Sequence, residues 1–312
     1  MTASSQATAA PKPRRRFVVP PILAAMRPNQ WTKNAVVLAA FVFAFWDREQ
    51  TVVLADSLRV IPAMLLFCLV SSGVYVLNDI RDIASDRQHP LKRFRPIASG
   101  RLPLRVAWGL GPACLAAGLG GALLLSAPLA EVLGAYIVIQ FLYTAGLKRI
   151  ALVDIFVIAA GFVLRALAGA VVIAVRISPW LLLCAFLLAL FLALCKRRQE
   201  KIQVADAHPG QRESLDDYHE GLLDQLIAVC AASTLVCYSI YTLWPGTVER
   251  FGTSELGFTI PFVAFGLFRY LDLAYRHSKG ERPEKVLLTD LPLLATIALY
   301  GLTVVVILAW RA

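Results

Sequence analysis

The sequence has few charged residues for its length, and this scarcity indicates the class of protein. Only 17% of its 312 residues are Asp, Glu, Lys or Arg, while 58% are hydrophobic and the mean hydropathy is +0.65. Soluble domains are usually about 45–50% apolar. Apolar runs of about 20 residues, the length that spans a bilayer, recur along the chain. The composition therefore argues against a soluble protein and predicts a helical protein that crosses the membrane many times.

Residues that form disulfides or bind zinc are also scarce. The chain has six Cys and four His. No two Cys form a C-x-x-C pair, all lie within or at the ends of apolar runs, and no His has ligand spacing. We interpret the cysteines as small buried hydrophobic residues. Basic residues are not interleaved with aromatic residues as in nucleic-acid-binding surfaces, so no nucleic acid partner is predicted.

The apolar runs divide the chain into a short tail and one membrane domain. Residues 1–25 are rich in Ala, Ser, Pro and Arg and are predicted to form a disordered basic tail. Residues 26–312 are predicted to form an all-α integral membrane domain. Its nine predicted spans are residues 34–55, 60–80, 104–126, 128–147, 150–175, 178–196, 222–245, 255–275 and 288–310.

The distribution of basic residues predicts the orientation of this domain. Most of the 31 Lys and Arg residues lie in the tail and in the loops after the second, fourth, sixth and eighth spans. The other side holds Arg48, Arg59, Arg176, Arg250 and Arg311. Basic loops remain in the cytoplasm. We therefore expect a multi-pass protein of the cell membrane with its N-terminus inside and its C-terminus outside.

The most informative local feature is a cluster of acids at the cytoplasmic end of the second span. Asp79, Asp82 and Asp86 are spaced i, i+3 and i+7, so on a continuous helix they share one face. Crowded carboxylates repel unless a cation lies between them, and Mg²⁺ binds carboxylates while leaving positions for phosphate oxygens. We predict that these acids are metal ligands and catalytic residues of a diphosphate site. The alternative is a solvated helix end.

Basic residues follow the acids and recur at the end of the sixth span. Lys92 and Arg95 come next along the chain, where a metal-bound diphosphate needs positive charge. Control of topology explains Lys92 about as well. Lys196, Arg197 and Glu200 form a second polar group. Arg197 is a candidate substrate-binding residue, and Lys196 and Glu200, which share a helix face, are candidate catalytic residues. A solvated ion pair is the alternative for those two residues.

Two charged residues lie within the fifth span. Asp154 is about one turn into the span, and Arg165 lies near its middle, where an unpaired charge costs roughly 3 kcal/mol. They are separated by about 16 Å along the helix axis, so they cannot pair with each other. Both are candidate substrate-binding residues, and a structural clamp is the alternative for Arg165. Tyr143 and Lys148 end the fourth span on the same side as the acids.

These residues carry a resemblance to a known family. Asn78 with the three acids, followed at residues 95–100 by R-P-I-x-S-G, resembles the first aspartate-rich motif of the UbiA superfamily of intramembrane prenyltransferases. The resemblance implies a helical bundle around a central cavity, with Mg²⁺ and a diphosphate at cytoplasmic cap loops and a lateral opening for a polyprenyl chain. It also implies that Asn78, Tyr143 and Lys148 bind substrate.

The run at residues 194–200 departs from this family's usual pattern. Typical members carry a second D-x-x-x-D motif there, whereas this chain has L-C-K-R-R-Q-E. The run resembles the family branch that makes decaprenylphosphoryl-5-phosphoribose. That branch implies transfer of 5-phosphoribosyl from 5-phosphoribosyl diphosphate to a polyprenyl phosphate, for cell-wall arabinan precursors, and it suggests a homotrimer. The acids would hold the diphosphate through Mg²⁺. The other phosphates are assigned to some of Lys92, Arg95, Lys148, Lys196 and Arg197.

Two other functions remain open. Prenyl transfer from a polyprenyl diphosphate to an aromatic acceptor would require a second acid cluster, which only Asp206, Asp216 and Asp217 could supply. A transporter of an anionic or lipid-linked solute usually has ionisable groups near the bilayer midplane. In this chain most of them lie at one face, which disfavours transport.

Overall fold

The computed structural model describes residues 19–207, 218, 220–276 and 289–311, and within these residues all regular structure is helical. The α-helices are α1 (Pro21–Met26), α2 (Ala39–Ala44), α3 (Ser57–Arg81), α4 (Ile83–Gln88), α5 (Leu104–Leu125), α6 (Ala127–Ala145), α7 (Val153–Val172), α8 (Pro179–Ala207), α9 (Glu220–Leu243), α10 (Pro245–Phe251), α11 (Ile260–Arg276) and α12 (Leu291–Arg311). Helices of the 3₁₀ type cover Pro28–Leu38, Leu54–Asp56, Lys92–Phe94, Leu147–Arg149 and Glu255–Thr259. The all-α prediction is confirmed.

Eight helical segments of the described chain are long and apolar enough to cross a membrane. They correspond to the second to ninth predicted spans. The first predicted span, residues 34–55, is not among them, so nine transmembrane helices are not confirmed. This stretch instead forms the end of the 3₁₀ helix Pro28–Leu38 and then α2, which has only 6 residues. Within the 3₁₀ helix, the amide of Asn34 is buried and donates to Ser71 of α3 at 3.3 Å.

The basic tail predicted for residues 1–25 lies mostly before the first described residue, and its last part forms α1. Proline occupies the first turn of α1, α6 and α10. Its missing N–H has no partner to lose at that position, and its fixed φ suits the first turn of a helix. Proline therefore helps to set where these helices begin.

Two apolar cores share α7, which runs through the centre of the bundle. Ala168 and Val172, near the end of α7, pack in one core with α3, α6 and the first 3₁₀ helix. Ile155 and Ala159, near its start, pack in a second core with α8, α9 and α11. All cysteines are free, and all but Cys237 are buried, which confirms their interpretation as small core residues.

Glycines let particular helices approach closely. A Cβ added to Gly169 of α7 would lie 1.8 Å from the carbonyl oxygen of Val37 in the first 3₁₀ helix. A Cβ added to Gly118 of α5 would lie 2.5 Å from Cγ2 of Val70 in α3. In a membrane, helix association depends on such close packing because lipid is as apolar as the helix surface.

Asp47 ties three loops together at the end of the bundle where α3 begins. Its buried carboxylate accepts hydrogen bonds from Arg250 Nε at 2.9 Å and from Gln50 Nε2 at 2.6 Å. Gln50 Oε1 in turn accepts from the backbone N–H of Arg176 at 3.0 Å. The loops predicted to lie opposite the acid cluster therefore meet at one end of the bundle.

Candidate active site

The acid cluster lies where α3 ends, and the backbone breaks the helix between its members. α3 ends at Arg81, Asp82 caps it with φ −90° and ψ 10°, and α4 begins at Ile83. The prediction that Asp79, Asp82 and Asp86 share one continuous helix face is therefore wrong. Asp79 and Asp86 are buried, whereas Asp82 is partly exposed.

Arg95 joins the two buried acids. Its Nη1 donates to Asp86 Oδ2 at 2.7 Å and to Asp79 Oδ1 at 3.1 Å. Arg27 forms a second ion pair with Asp79, and its guanidinium carbon lies 5.1 Å from the centre of the Tyr75 ring. Arg27 was not a candidate from the sequence. It has a left-handed backbone with φ 55°, which is uncommon for a residue other than glycine.

The third acid, Asp82, pairs with the loop between α6 and α7. Lys148 Nζ lies 3.1 Å from Asp82 Oδ1. One turn earlier on α3, Asn78 Oδ1 accepts a hydrogen bond from Thr144 Oγ1 of α6 at 2.6 Å. The ends of α3 and α6 are therefore joined by one ionic and one neutral contact, and each acid of the cluster has a basic partner.

One oxygen of the acid cluster shows that the site suits a cation. Asp79 Oδ2 is buried and has no hydrogen-bond partner, which is unfavourable for a carboxylate oxygen. Asp79 and Asp86 supply the hard oxygen ligands that Mg²⁺ prefers. No group of three or more His, Cys, Asp or Glu residues converges as a ligand set within the described ranges. The residues therefore fit a metal held by two carboxylates better than one held by all three.

A second polar cluster joins α7 to α8. Arg197 is buried, and its Nε donates to Asp154 Oδ2 at 2.6 Å. Arg197 Nη1 also pairs with Glu200, whose other carboxylate oxygen lies 3.8 Å from Lys196 Nζ. The structure therefore supplies the partner that Asp154 requires. It places Asp154 and Arg197 beneath the surface, and Lys196 and Glu200 closer to solvent.

Tyr218 completes this second cluster. Its hydroxyl donates to Asp154 Oδ1 at 2.7 Å and accepts from the backbone N–H of Leu152 at 2.7 Å. Burial and the hydrogen bond to Asp154 raise the pKa of the Tyr218 phenol above its usual range, because both disfavour a phenolate. Tyr218 therefore remains a donor at neutral pH. Its position in the polar loop after α8 was the only signal in the sequence.

The last turn of α6 lies between the two clusters. Thr144 contacts Asn78, and the neighbouring Tyr143 interacts electrostatically with Arg197. Lys92 is exposed on its own 3₁₀ helix. Of the acids considered for a second motif, Asp216 and Asp217 lie outside the described residues, as does the side chain of Asp206.

Arg165 lies apart from both clusters, in the interior of the bundle. Its three guanidinium nitrogens donate to Asn34 Oδ1 at 2.8 Å, to the carbonyl of Gly161 at 2.7 Å and to the hydroxyl of Tyr136 at 3.2 Å. Its guanidinium carbon lies 5.0 Å from the centre of the Phe67 ring. These contacts account for the buried charge without a ligand, so they favour the structural clamp over substrate binding.

A model of the UbiA prenyltransferase family matches residues 35–291. The chain belongs to this family. The decaprenyl-phosphate phosphoribosyltransferase of Mycolicibacterium smegmatis is 37% identical to it over 242 residues, covering 77% of this chain and 75% of the relative. The decaprenyl-phosphate phosphoribosyltransferase of Mycobacterium tuberculosis is 34% identical over 289 residues, covering 91% of this chain and 94% of the relative.

The helical arrangement of this UbiA family member is similar to that of solved structures. A UbiA homolog from Archaeoglobus fulgidus bound to GPP and Mg²⁺ matches with a TM-score of 0.67 and 18% identity, covering 93% of this chain and 98% of the homolog. Digeranylgeranylglyceryl phosphate synthase matches with a TM-score of 0.62 and 18% identity, covering 89% of this chain and 96% of the synthase. At this identity the similarity establishes the fold alone.

Proposed function

We propose that this UbiA family member transfers the 5-phosphoribosyl group of 5-phosphoribosyl diphosphate to decaprenyl phosphate and releases diphosphate. The observation that carries the proposal is 34–37% identity, over most of the chain, to decaprenyl-phosphate phosphoribosyltransferases. The basic run at Lys196 and Arg197 supports it, because a donor with a diphosphate and a further phosphate needs cationic groups beyond the acid cluster. The comparisons do not support a homotrimer, which is not part of the proposal.

The reaction needs little covalent chemistry from the protein. A phosphate oxygen of the lipid forms the new bond to C1 of the ribose, and the bond from C1 to the diphosphate breaks with its electron pair leaving on the diphosphate. The lipid phosphate is already anionic, so no general base is required, and inversion at C1 is expected. Positioning of the two substrates and stabilisation of the leaving group supply most of the rate.

The charges of the acid cluster suggest how the donor binds. Arg27 and Arg95 neutralise Asp79 and Asp86 in the present arrangement. A metal ion alone, or an anion alone, would leave a charge without a partner in a largely buried site. Asp79 and Asp86 would hold Mg²⁺, with Asp82 at the edge of the site, and the two arginines would bind the diphosphate. Bound Mg²⁺ stabilises the negative charge of a departing diphosphate.

This arrangement predicts that the donor and the metal bind cooperatively. Thermal unfolding in detergent is measured with MgCl₂ alone, with 5-phosphoribosyl diphosphate alone, and with both. At 100 times the dissociation constant a ligand stabilises the folded state by about 2.7 kcal/mol. We expect a stabilisation of this size only when MgCl₂ and 5-phosphoribosyl diphosphate are present together. Shifts that simply add would contradict the paired binding.

The activity is tested with purified protein, radiolabelled 5-phosphoribosyl diphosphate, decaprenyl phosphate and MgCl₂. We expect a labelled product that is extracted with the lipid. Asp82→Asn should lose this activity while its unfolding temperature stays near that of the wild type, because Asp82 is partly exposed. Asp272→Asn, which removes a partly exposed acid of α11, is the matched control and should remain active. Product formation by Asp82→Asn at the wild-type rate would remove Asp82 from the mechanism.

The two other functions fit the described contacts less well. Prenyl transfer to an aromatic acceptor needs a second acid motif, and the end of α8 offers Glu200 among three basic residues. Turnover of a prenyl diphosphate with an aromatic acid, without any phosphoribosyl lipid, would favour that reaction. For transport, the charge near the middle of the bundle is Arg165, which is engaged by neighbouring helices rather than lining a path.

We also propose that residues 28–46 make a ninth crossing of the membrane. Arg27 pairs with Asp79 at one end of the bundle, and Asp47 pairs with Arg250 at the other. At about 2.0 Å per residue for the 3₁₀ helix and 1.5 Å for α2, the two helices span about 31 Å, close to the hydrocarbon thickness of about 30 Å. Nine crossings, with the basic loops inside, place the active site and N-terminus in the cytoplasm and the C-terminus outside.

This topology is tested by labelling introduced cysteines in intact cells with an impermeant maleimide. Ser99→Cys, in the loop after α4, should be protected until the cells are opened. Thr51→Cys, in the loop after α2, should react at once, because both positions are exposed and differ only in the side of the membrane. Equal labelling of the two variants would contradict the orientation.

A further inference from the structure

The loop between α6 and α7 carries Lys148, and contacts at the end of α6 fix where this loop begins. Thr144 Oγ1 donates to Asn78 Oδ1 of α3 at 2.6 Å. The carbonyl of the next residue, Ala145, accepts from Arg81 Nη2 of α3 at 3.3 Å. Both contacts hold the end of α6 against α3. The position of Lys148 therefore depends next on how the loop turns into α7.

That turn has an unusual backbone at Leu152. Leu152 has φ 66° and ψ −44°, and the N–H of Val153 donates to the carbonyl of Ala151 at 2.8 Å. This hydrogen bond defines a γ-turn, and its positive-φ form is rare and strained for a residue other than glycine. A strained turn persists only where its surroundings hold it. The side chain of Leu152 is exposed, so its packing within the protein does little to hold the turn.

Tyr218 supplies a contact that holds this turn. Its hydroxyl accepts from the N–H of Leu152 and donates to Asp154 Oδ1, and both distances are 2.7 Å. Tyr218 is 1% exposed, and burial strengthens such hydrogen bonds. Asp154 is fixed in turn by its ion pair with Arg197. One hydroxyl therefore joins the loop that carries Lys148 to the polar cluster between α7 and α8.

We propose that Tyr218 is a positioning residue for the donor, which holds the turn at Leu152 and thereby keeps Lys148 beside the acid cluster. Lys148 Nζ lies 3.1 Å from Asp82 Oδ1 and 3.4 Å from Oδ2. This inference rests on the proposed function, in which Lys148 is a phosphate-binding residue. Tyr218 is buried and engaged on both sides, so it acts through Lys148. Without its hydrogen bond the turn relaxes, and Lys148 is less often in place.

The first test separates donor binding from turnover. Tyr218→Phe should raise the KM for 5-phosphoribosyl diphosphate about fivefold and keep kcat within about twofold of the wild type, because Lys148 contributes to binding. The KM does not depend on how much enzyme is folded, so a loss of stability alone would not change it. Tyr275→Phe is the matched control, because it removes a 2.7 Å hydrogen bond to Asp224 that joins α11 to α9. An unchanged KM in Tyr218→Phe, or an equal rise in the control, would overturn the proposal.

A double variant tests whether Tyr218 acts through Lys148. Lys148→Ala should raise the same KM. Adding Tyr218→Phe should raise it no further, because a residue that only positions Lys148 has nothing left to position. Two effects that multiply would show that Tyr218 acts by another route and would contradict the proposal. A wild-type KM in Lys148→Ala would contradict it as well.

Glycine at position 152 tests the turn itself. Glycine adopts a positive φ without strain. Leu152→Gly combined with Tyr218→Phe should therefore bring the KM back to within about twofold of the wild type. The hydrogen bond from Tyr218 to Asp154 is still missing in this double variant, so a rescue assigns the effect to the turn. A KM that stays raised would place the effect in the cluster between α7 and α8 and would refute positioning through the turn.

Hydrogen exchange distinguishes this inference from the proposed function because it needs no turnover. The peptide that contains the Leu152 amide is followed by mass spectrometry in detergent without substrates. This amide should exchange about tenfold faster in Tyr218→Phe than in the wild type or Tyr275→Phe, because it loses its buried acceptor. Equal exchange, with a wild-type protein that makes the phosphoribosyl lipid, would refute the inference and leave the function intact. Faster exchange in Tyr218→Phe, with no product from the wild type, would refute the function and leave the anchor of the loop.

Discussion

The buried ion pair between α7 and α8 yields the sharpest quantitative prediction. Asp154 is 0% exposed and Arg197 is 2% exposed, and their nearest atoms are 2.6 Å apart. Loss of one partner of a buried pair costs about 3–5 kcal/mol, because the other charge stays buried without compensation. Glu200 also pairs with Arg197 and would offset part of this cost. We therefore expect Asp154→Ala to lower the free energy of unfolding by about 3 kcal/mol.

Companion variants show whether this loss comes from the ion pair. Tyr218→Phe removes a single hydrogen bond to a charged acceptor and should cost about 1.5–3 kcal/mol. Arg197→Met combined with Asp154→Ala should recover part of the loss of Asp154→Ala alone, because no buried charge is left without its partner. With Arg197→Met measured alone as well, the coupling energy of the pair is the loss in the double variant minus the sum of the losses in the two single variants.

The assay is reversible unfolding in mixed detergent micelles, followed by circular dichroism. Arg276→Gln is the control, because Arg276 is 79% exposed and its pair with Asp272 should contribute about 0–1 kcal/mol. A loss below about 1 kcal/mol for Asp154→Ala, or a double variant less stable than either single variant, would refute the reasoning.

Three further predictions concern packing and buried charge. Gly169→Ala should lower the free energy of unfolding by about 3 kcal/mol or more, because the added Cβ would overlap the backbone of the first 3₁₀ helix. Gly134→Ala is the control: there is open space around Gly134, so the change should be neutral or stabilising by up to about 1 kcal/mol. Arg165→Lys should lower the free energy of unfolding by about 2 kcal/mol, because lysine cannot reproduce the three divergent hydrogen bonds of Arg165. The folded protein should keep the wild-type KM for 5-phosphoribosyl diphosphate. A raised KM would restore Arg165 as a substrate-binding residue. Asp47→Asn should lower the free energy of unfolding by about 2 kcal/mol in the same assay, because it weakens the ion pair with Arg250. An unchanged stability would show that other contacts hold these loops together.

The sequence predicted eight spans correctly because each is a continuous apolar run whose length can be compared with the bilayer. It also placed Asp79 and Asp86 in one cluster, because they are close along the chain. It did not predict that Asp82 would end the helix, since neither glycine nor proline marks that position. The first span was not confirmed as a regular helix, because a run of apolar residues does not distinguish an α-helix from a 3₁₀ helix.

Amino-acid order alone determined the membrane class of this protein, its basic face and the acidic motif, because these properties depend on residues that are near one another in the chain. Tertiary structure decided which charges meet. Arg27 pairs with Asp79 across 52 positions, and Tyr218 reaches Asp154 across 64. Such contacts depend on how the helices pack in three dimensions. Gly169 lets the first 3₁₀ helix approach α7 closely, and Arg27 has a left-handed backbone conformation where it pairs with Asp79.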